Sequence, residues 1–295
     1  MRLSIIVPSL SGEVPSSIPD DSRLEVIVVK GISPVGKARN EGLRRATGDY
    51  IAWVDADDEV VPGWAESILS AIESSPDIVV IDAQMVGWKG RSDCIWGLVA
   101  KEATIDRLRR DVYRDISRPS ALWLYVTRRS LWDGLRFDEN VRVAEDYLIL
   151  PKVLERAESC TYVSRMLYRY ICNPKSLINT QNYELDMDVM KLWVRRLEES
   201  PREHRGECLW GMAVSCYWVC IRVALDVDER TKPGAGECAR RCRETIRRSM
   251  GSLLHEVFAE YDFGLRERLI WYLRFFCAAM DWWWPQKLRR AVRRW

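Results

Sequence analysis

Histidine is scarce in this chain. Of 295 residues, His204 and His255 alone carry an imidazole. That excludes a metal cage built from histidines or a histidine-centred proton relay, and it leaves carboxylates as the available bases. A dominant charge is lacking too. Forty-five basic and 43 acidic residues leave +2, so no global field draws the chain to nucleic acid. No stretch reaches the ~18–20 uncharged apolar residues that a bilayer span needs. The longest candidate, Cys208–Ile221, fits a buried helix better. The apolar run Leu3–Leu10 is short and broken by Pro8, unlike an export signal, so a cytoplasmic chain with reduced thiols is expected. Internal repeats and low-complexity linkers are absent.

What is present is a globular composition, 47% hydrophobic and 30% charged, with 14 tryptophans and nine cysteines. The length suits one large domain or two smaller ones. Cys216 and Cys220, and Cys238 and Cys242, stand at helical i,i+4 spacing. Without the strand-turn context of a zinc site they read as core or surface thiols. Residues 3–8, Leu24–Lys30 and Tyr50–Val54 read as buried strands. Ser33 and Pro34 read as the N-cap and first residue of a helix running to about Ala46, with Gly48 closing it, and Pro62 as the opening of another. In that second helix Ala65, Ile68, Leu69 and Ile72 share a face. Strands alternating with helices predict an α/β fold with a mainly parallel sheet. From about residue 184 the pattern is almost wholly helical, which places a domain at 1–182 and a helical region at 183–295.

The most informative segment is Asp55-Ala56-Asp57-Asp58, directly after the third strand. Ligands of open α/β sheets bind beyond the carboxyl ends of strands. Strand alternation would point Asp55 and Asp57 to one side, where two carboxylates repel unless a cation lies between them. Mg²⁺ or Mn²⁺ favours such oxygens and leaves room for substrate phosphates. An acidic turn capping the next helix is the competing reading.

The wider run is Gly36-Lys37-Ala38-Arg39-Asn40-Glu41-Gly42, then Ala46-Thr47-Gly48-Asp49-Tyr50-Ile51-Ala52-Trp53-Val54-Asp55-Ala56-Asp57-Asp58. It resembles the family 2 glycosyltransferases of the GT-A fold, whose signature is G-x-x-ARN-x-G-x-x-x-A-x-G-x-(Y/F)-I-x-(F/W)-(V/L)-D-x-D-D. The resemblance implies a nucleotide-sugar donor, UDP-linked by family default, bound through a divalent metal (Mn²⁺ or Mg²⁺). Asp57 would be the metal ligand, with Asp55 near the ribose and diphosphate. Arg39 and Asn40 would line the nucleotide pocket, with Pro8, Ser9, Lys37 and Ala56 around it. Downstream, Trp123-Leu124-Tyr125-Val126-Thr127-Arg128-Arg129 precedes Phe137-Asp138-Glu139 and then Glu145-Asp146-Tyr147. In the family the Asp of that acidic pair is the catalytic base, which maps to Asp146. Trp123 and Glu145 fall on the acceptor side. One base suffices for a single displacement, which inverts the anomeric centre.

The resemblance covers about residues 1–180. It departs at Ser9-Leu10-Ser11, and at Lys30-Gly31-Ile32-Ser33, where the family usually carries D-G-S. These departures motivate the alternative of a catalytically inactive GT-A scaffold that recruits partners. A minor alternative is a P-loop at Gly31-Ile32-Ser33-Pro34-Val35-Gly36-Lys37, where Ala38 replaces the Mg²⁺-holding hydroxyl. At the C-terminus, residues 265–295 carry eight basic and two acidic side chains together with Trp282, Trp283, Trp284 and Trp295. An amphipathic Trp/Arg tail suits an anionic membrane interface on the inner face of the cell membrane. Packing on the protein or in a homodimer is the competing reading. The reading adopted is a metal-dependent inverting transferase acting on a glycan or lipid-linked acceptor.

Overall fold

The computed structural model describes residues 1–87, 94–96, 104–114, 121–173, 176, 183–225, 227–252 and 265–280. The chain divides into two units, Met1–Thr180 and Gln181–Trp295.

The first unit is built on an eight-stranded sheet: β1 (Leu3–Ser9), β2 (Leu24–Lys30), β3 (Tyr50–Trp53), β4 (Glu59–Val60), β5 (Ile78–Val86), β6 (Cys94–Trp96), β7 (Tyr125–Arg128) and β8 (Cys160–Ile171). The order is β2-β1-β3-β7-β5-β8-β4, with β6 on β5. The sheet is mixed. Parallel pairing is confined to β2-β1-β3 and to β5-β8, while β7 runs antiparallel between β3 and β5 and so joins the two parallel groups. Its strands are fully buried where helices cover both faces: Leu3, Ile5, Ile6, Val7 and Tyr50–Val54 are sealed from solvent. Pro8 costs no ladder bond to β3, because that pairing ends at Ile6.

Helix α1 (Val35–Arg45) packs on β1 and β2. It starts one residue later than the sequence suggests: Pro34 is the N-cap, and no side chain, Ser33 included, caps it. Gly42 lets α1 lie directly on β1, since a Cβ there would sit 2.3 Å from the Ile6 Cγ2. Gly48 plays the same part at the entry to β3, where a Cβ would meet the Ser4 backbone nitrogen at 2.7 Å. Helix α2 (Trp64–Ile72) begins two residues after Pro62, capped by Gly63 at φ 86°. It buries Trp64, Ala65, Ile68, Leu69 and Ile72, the apolar face expected from spacing plus one tryptophan. Helices α3 (Ile105–Arg114) and α4 (Asp146–Arg156) also belong to this unit, α3 packing on α4.

The second unit is helical: α5 (Tyr183–Glu199), α6 (Arg205–Leu225), α7 (Val227–Thr231), α8 (Ala235–Ser252) and α9 (Leu265–Ala279). Trp210, Trp271, Tyr217 and Phe275 meet edge to face where α6 and α9 cross. Cys216, Cys220, Cys238 and Cys242 are free, buried core thiols along the α6–α8 contact. Within Arg202–Ala224 an 18-residue window has a mean hydropathy of 1.2, long and apolar enough to cross a membrane by length and composition, although charged residues fall inside it. That window is 67% buried within the protein, as a core helix would be. Residues 281–295, the basic Trp-rich tail, lie outside the described residues, as does most of segment 88–103.

Candidate active site

The site lies at the carboxyl ends of β1, β3 and β8, all within the first unit. Strand β3 ends at Trp53, and the chain turns at once: the Asp58 N–H donates to the Asp55 carbonyl at 3.1 Å. Strand alternation therefore does not govern this segment, and the expectation drawn from it for Asp55 and Asp57 is replaced by turn geometry. Within the turn Asp55 and Ala56 are half-buried, Asp57 is exposed and Asp58 is sealed inside. Asp58 accepts hydrogen bonds from the Tyr168 hydroxyl (2.7 Å) and the Ile171 N–H (2.8 Å). Burial first, then the neighbouring Asp55 charge, push its carboxyl up to about 8, because both oppose ionisation more than those hydrogen bonds favour it. The Asn173 amide donates to Asp57 at 3.4 Å.

Arg39, on the buried face of α1, spans the site. One guanidinium nitrogen donates to Asp55 at 3.2 Å and another to Glu145. Its plane lies over Trp53 (5.9 Å) and Phe137 (5.8 Å), which with Trp132 form an aromatic bed. Gly36 allows the close approach of the 137–145 segment, since a Cβ there would sit 3.2 Å from the Asp138 carbonyl. Asn40 ties down the same segment with both ends of its amide. Its nitrogen donates to the Phe137 carbonyl (3.0 Å) and Glu139 (3.0 Å), and its oxygen accepts the Phe137 N–H (2.8 Å).

Asp146 opens α4. Ala144, at φ 59°, turns the chain in a conformation uncommon for a residue other than glycine, and the Tyr147 N–H closes on its carbonyl at 3.1 Å. The Asp146 carboxyl is pushed up to about 6. Burial is the largest cause, opposed by Arg39 and reinforced by Asp55. Asp146 thus feels the same two side chains that organise the Asp55–Asp58 turn.

The structure brings Arg39, Asp55, Asp57, Glu145 and Asp146 into one neighbourhood. Glu145 is buried and paired with Arg39, and Asn40 is hydrogen-bonded to the 137–139 loop. Trp123 is buried and stacked at 4.7 Å on Tyr168. Pro8 and Ser9 stand at the adjoining end of β1. The Ser9 hydroxyl accepts the Gly12 N–H (3.0 Å), and its carbonyl accepts that of Gly31 (3.0 Å). Lys37 is exposed in the first turn of α1. Sequence reasoning missed Asp58 and Tyr168. The third aspartate of the motif was the available signal for the first. For the second no alternation marked it, since Leu167 and Tyr168 are buried side by side in β8.

Among the described residues no group of three or more His, Cys, Asp or Glu is arranged to hold a metal ion by itself. The chemistry of Asp55 and Asp57 does fit Mg²⁺ or Mn²⁺ bound in the mode that uses one or two carboxylates and completes its shell with substrate phosphates and water.

Residues 15–120 match the family model described as glycosyl transferase family 2. Over 181 residues, 58% of this chain, the sequence is 27% identical to an uncharacterized glycosyltransferase, EpsJ, of Bacillus subtilis (strain 168), covering 51% of it. Over 175 residues, 55% of this chain, it is 26% identical to the succinoglycan biosynthesis protein ExoO of Rhizobium meliloti (strain 1021), covering 48% of it. The chain spans about half the length of these curated relatives. The fold is similar to that of S. aureus TarS 1-349 in complex with UDP-GlcNAc, with a TM-score of 0.59 and 17% identity over 86% of this chain and 84% of that one. Residues 15–120 are thus similar to the family 2 glycosyltransferases, and the fold is of the GT-A kind.

Proposed function

We propose that the protein transfers a sugar from a UDP-sugar to an acceptor hydroxyl in one displacement, inverting the anomeric centre. The observation that carries this reading is the position of Asp146, close enough to Arg39 and Asp55 for both to act on its carboxyl. A base there lies next to the turn that would hold the donor. With a carboxyl near 6, Asp146 is ionised at neutral pH and still basic enough to take the acceptor proton. The backbone N–H groups of Asp146 and Tyr147 at the start of α4 favour the ionised form and so offset part of the effect of burial. Asp57, with Asp55, would hold Mn²⁺ or Mg²⁺, and a cation bound there stabilises the departing diphosphate. Arg39 holds the turn and the base segment in register.

The UDP-GlcNAc complex of TarS supports the donor class, and the name of ExoO supports an acceptor belonging to a growing polysaccharide, free or lipid-linked. The basic tail suits an anionic membrane, where such an acceptor would be presented, and on this reading the protein would work at the cytoplasmic face. Titrating UDP calorimetrically with and without Mn²⁺, followed by a screen of nucleotide sugars for transfer, tests the reading. Metal-dependent UDP binding and turnover of one donor are expected. Absence of binding to any nucleoside diphosphate would sink it in favour of an inactive scaffold.

A further inference from the structure

We infer that Tyr168 is a positioning residue for the donor site, and that its hydroxyl sets the shape of the Asp55–Asp58 turn and so the aim of the Asp55 and Asp57 carboxylates. This rests on the donor reading proposed above. Tyr168 is fully buried in β8, its ring parallel to Trp123 within 3° at 4.7 Å. A phenylalanine would fill that stack equally well, so packing does not explain the hydroxyl. Both of its hydrogen bonds go to one four-residue turn: it accepts the Asp55 N–H at 3.1 Å and donates to the Asp58 carboxylate at 2.7 Å. It therefore pins the first and last residues of the turn at a single oxygen.

The end of β8 continues the grip. The Ile171 N–H holds the other Asp58 oxygen at 2.8 Å, and the Asn173 amide reaches Asp57 at 3.4 Å. Asp57 is exposed, between two anchored residues, in a turn that lies outside the regular sheet. Without the Tyr168 oxygen the Asp55 N–H loses its partner and Asp58 keeps only the Ile171 bond. The turn can then relax and carry Asp55 and Asp57 with it. Backbone-level positioning of this kind fixes a site to within the tolerance that binding geometry demands.

The test is Tyr168→Phe in the full chain. The dissociation constant of UDP with Mn²⁺ and the donor KM should rise tenfold or more, while the acceptor KM stays near wild type and the thermal midpoint falls only by the few degrees that the lost hydrogen bonds cost. A merely structural role would instead disturb both substrates alike. Unchanged UDP affinity and donor KM in folded Tyr168→Phe would overturn the inference. Should that variant not fold, Asp58→Asn decides: a selective donor defect supports the inference, and wild-type donor binding refutes it. Wild-type protein titrated first separates this from failure of the donor reading, because a wild type that binds no UDP removes both.

Discussion

Arg39 and Glu145 form a buried ion pair across 106 positions of sequence, and the same guanidinium holds Asp55. The pair joins the helix that follows β2 to the turn that precedes α4, and so couples the Asp55–Asp58 turn to the segment carrying Asp146.

Breaking that pair should be costly in a specific way. Arg39→Met leaves Glu145 buried and unpaired, and a loss of roughly 3–5 kcal/mol in urea unfolding is expected. The double variant Arg39→Met/Glu145→Leu should regain most of that stability, because both charges are gone, yet remain defective in transfer. Additive stability losses in the double-mutant cycle would show that the two do not interact.

The pH profile of transfer should report Asp146. The base acts when ionised, so kcat/KM should rise through about pH 6 and level off above it, following the raised carboxyl. Steady-state rates from pH 5 to 8 measure this. A rate already flat from pH 5 upward would assign the proton transfer elsewhere.

Stability of the unliganded protein should fall as pH rises. Asp58 and Asp146 have carboxyls raised in the fold, to about 8 and about 6, so the native state binds more protons than the unfolded chain over that window. Their penalty is absent below the ordinary carboxylate range and complete above the raised values. Thermal midpoints across pH 4 to 8.5 should show this decline, and Asp58→Asn should flatten its upper part. An unaltered slope in that variant would contradict the assignment.

The motif glycine at 42 should be intolerant for a packing reason. Gly42→Ala gains helix propensity but drives a Cβ into Ile6, and overpacking of that kind costs about 1–3 kcal/mol. Unfolding measurements on Gly42→Ala with and without Ile6→Ala should be non-additive, since Ile6→Ala removes the clashing methyl.

Much of this was legible in the sequence. The three apolar runs became β1, β2 and β3, and the Asp-rich segment after the third marked the site, because buried parallel strands and strand-end carboxylates leave local signatures. The roles of Asn40, Trp123 and Glu145 did not. Asn40 meets Phe137 and Glu139, Trp123 meets Tyr168 and Glu145 meets Arg39, partners tens of positions away that local pattern cannot name. Strand alternation does not carry over to Asp55 and Asp57, because the strand ends at Trp53 and a period of two fails once a turn begins. Tyr168 can anchor that turn because β8 lies between β4 and β5, a pairing that local pattern does not name.

The most direct test of the central claim separates binding from chemistry at Asp146. Asp146→Asn is nearly isosteric, and calorimetry with UDP and Mn²⁺ should give an affinity close to wild type, while transfer from the active nucleotide sugar falls by about 10²–10⁴-fold. Transfer at the wild-type rate in a folded Asp146→Asn protein would contradict the account.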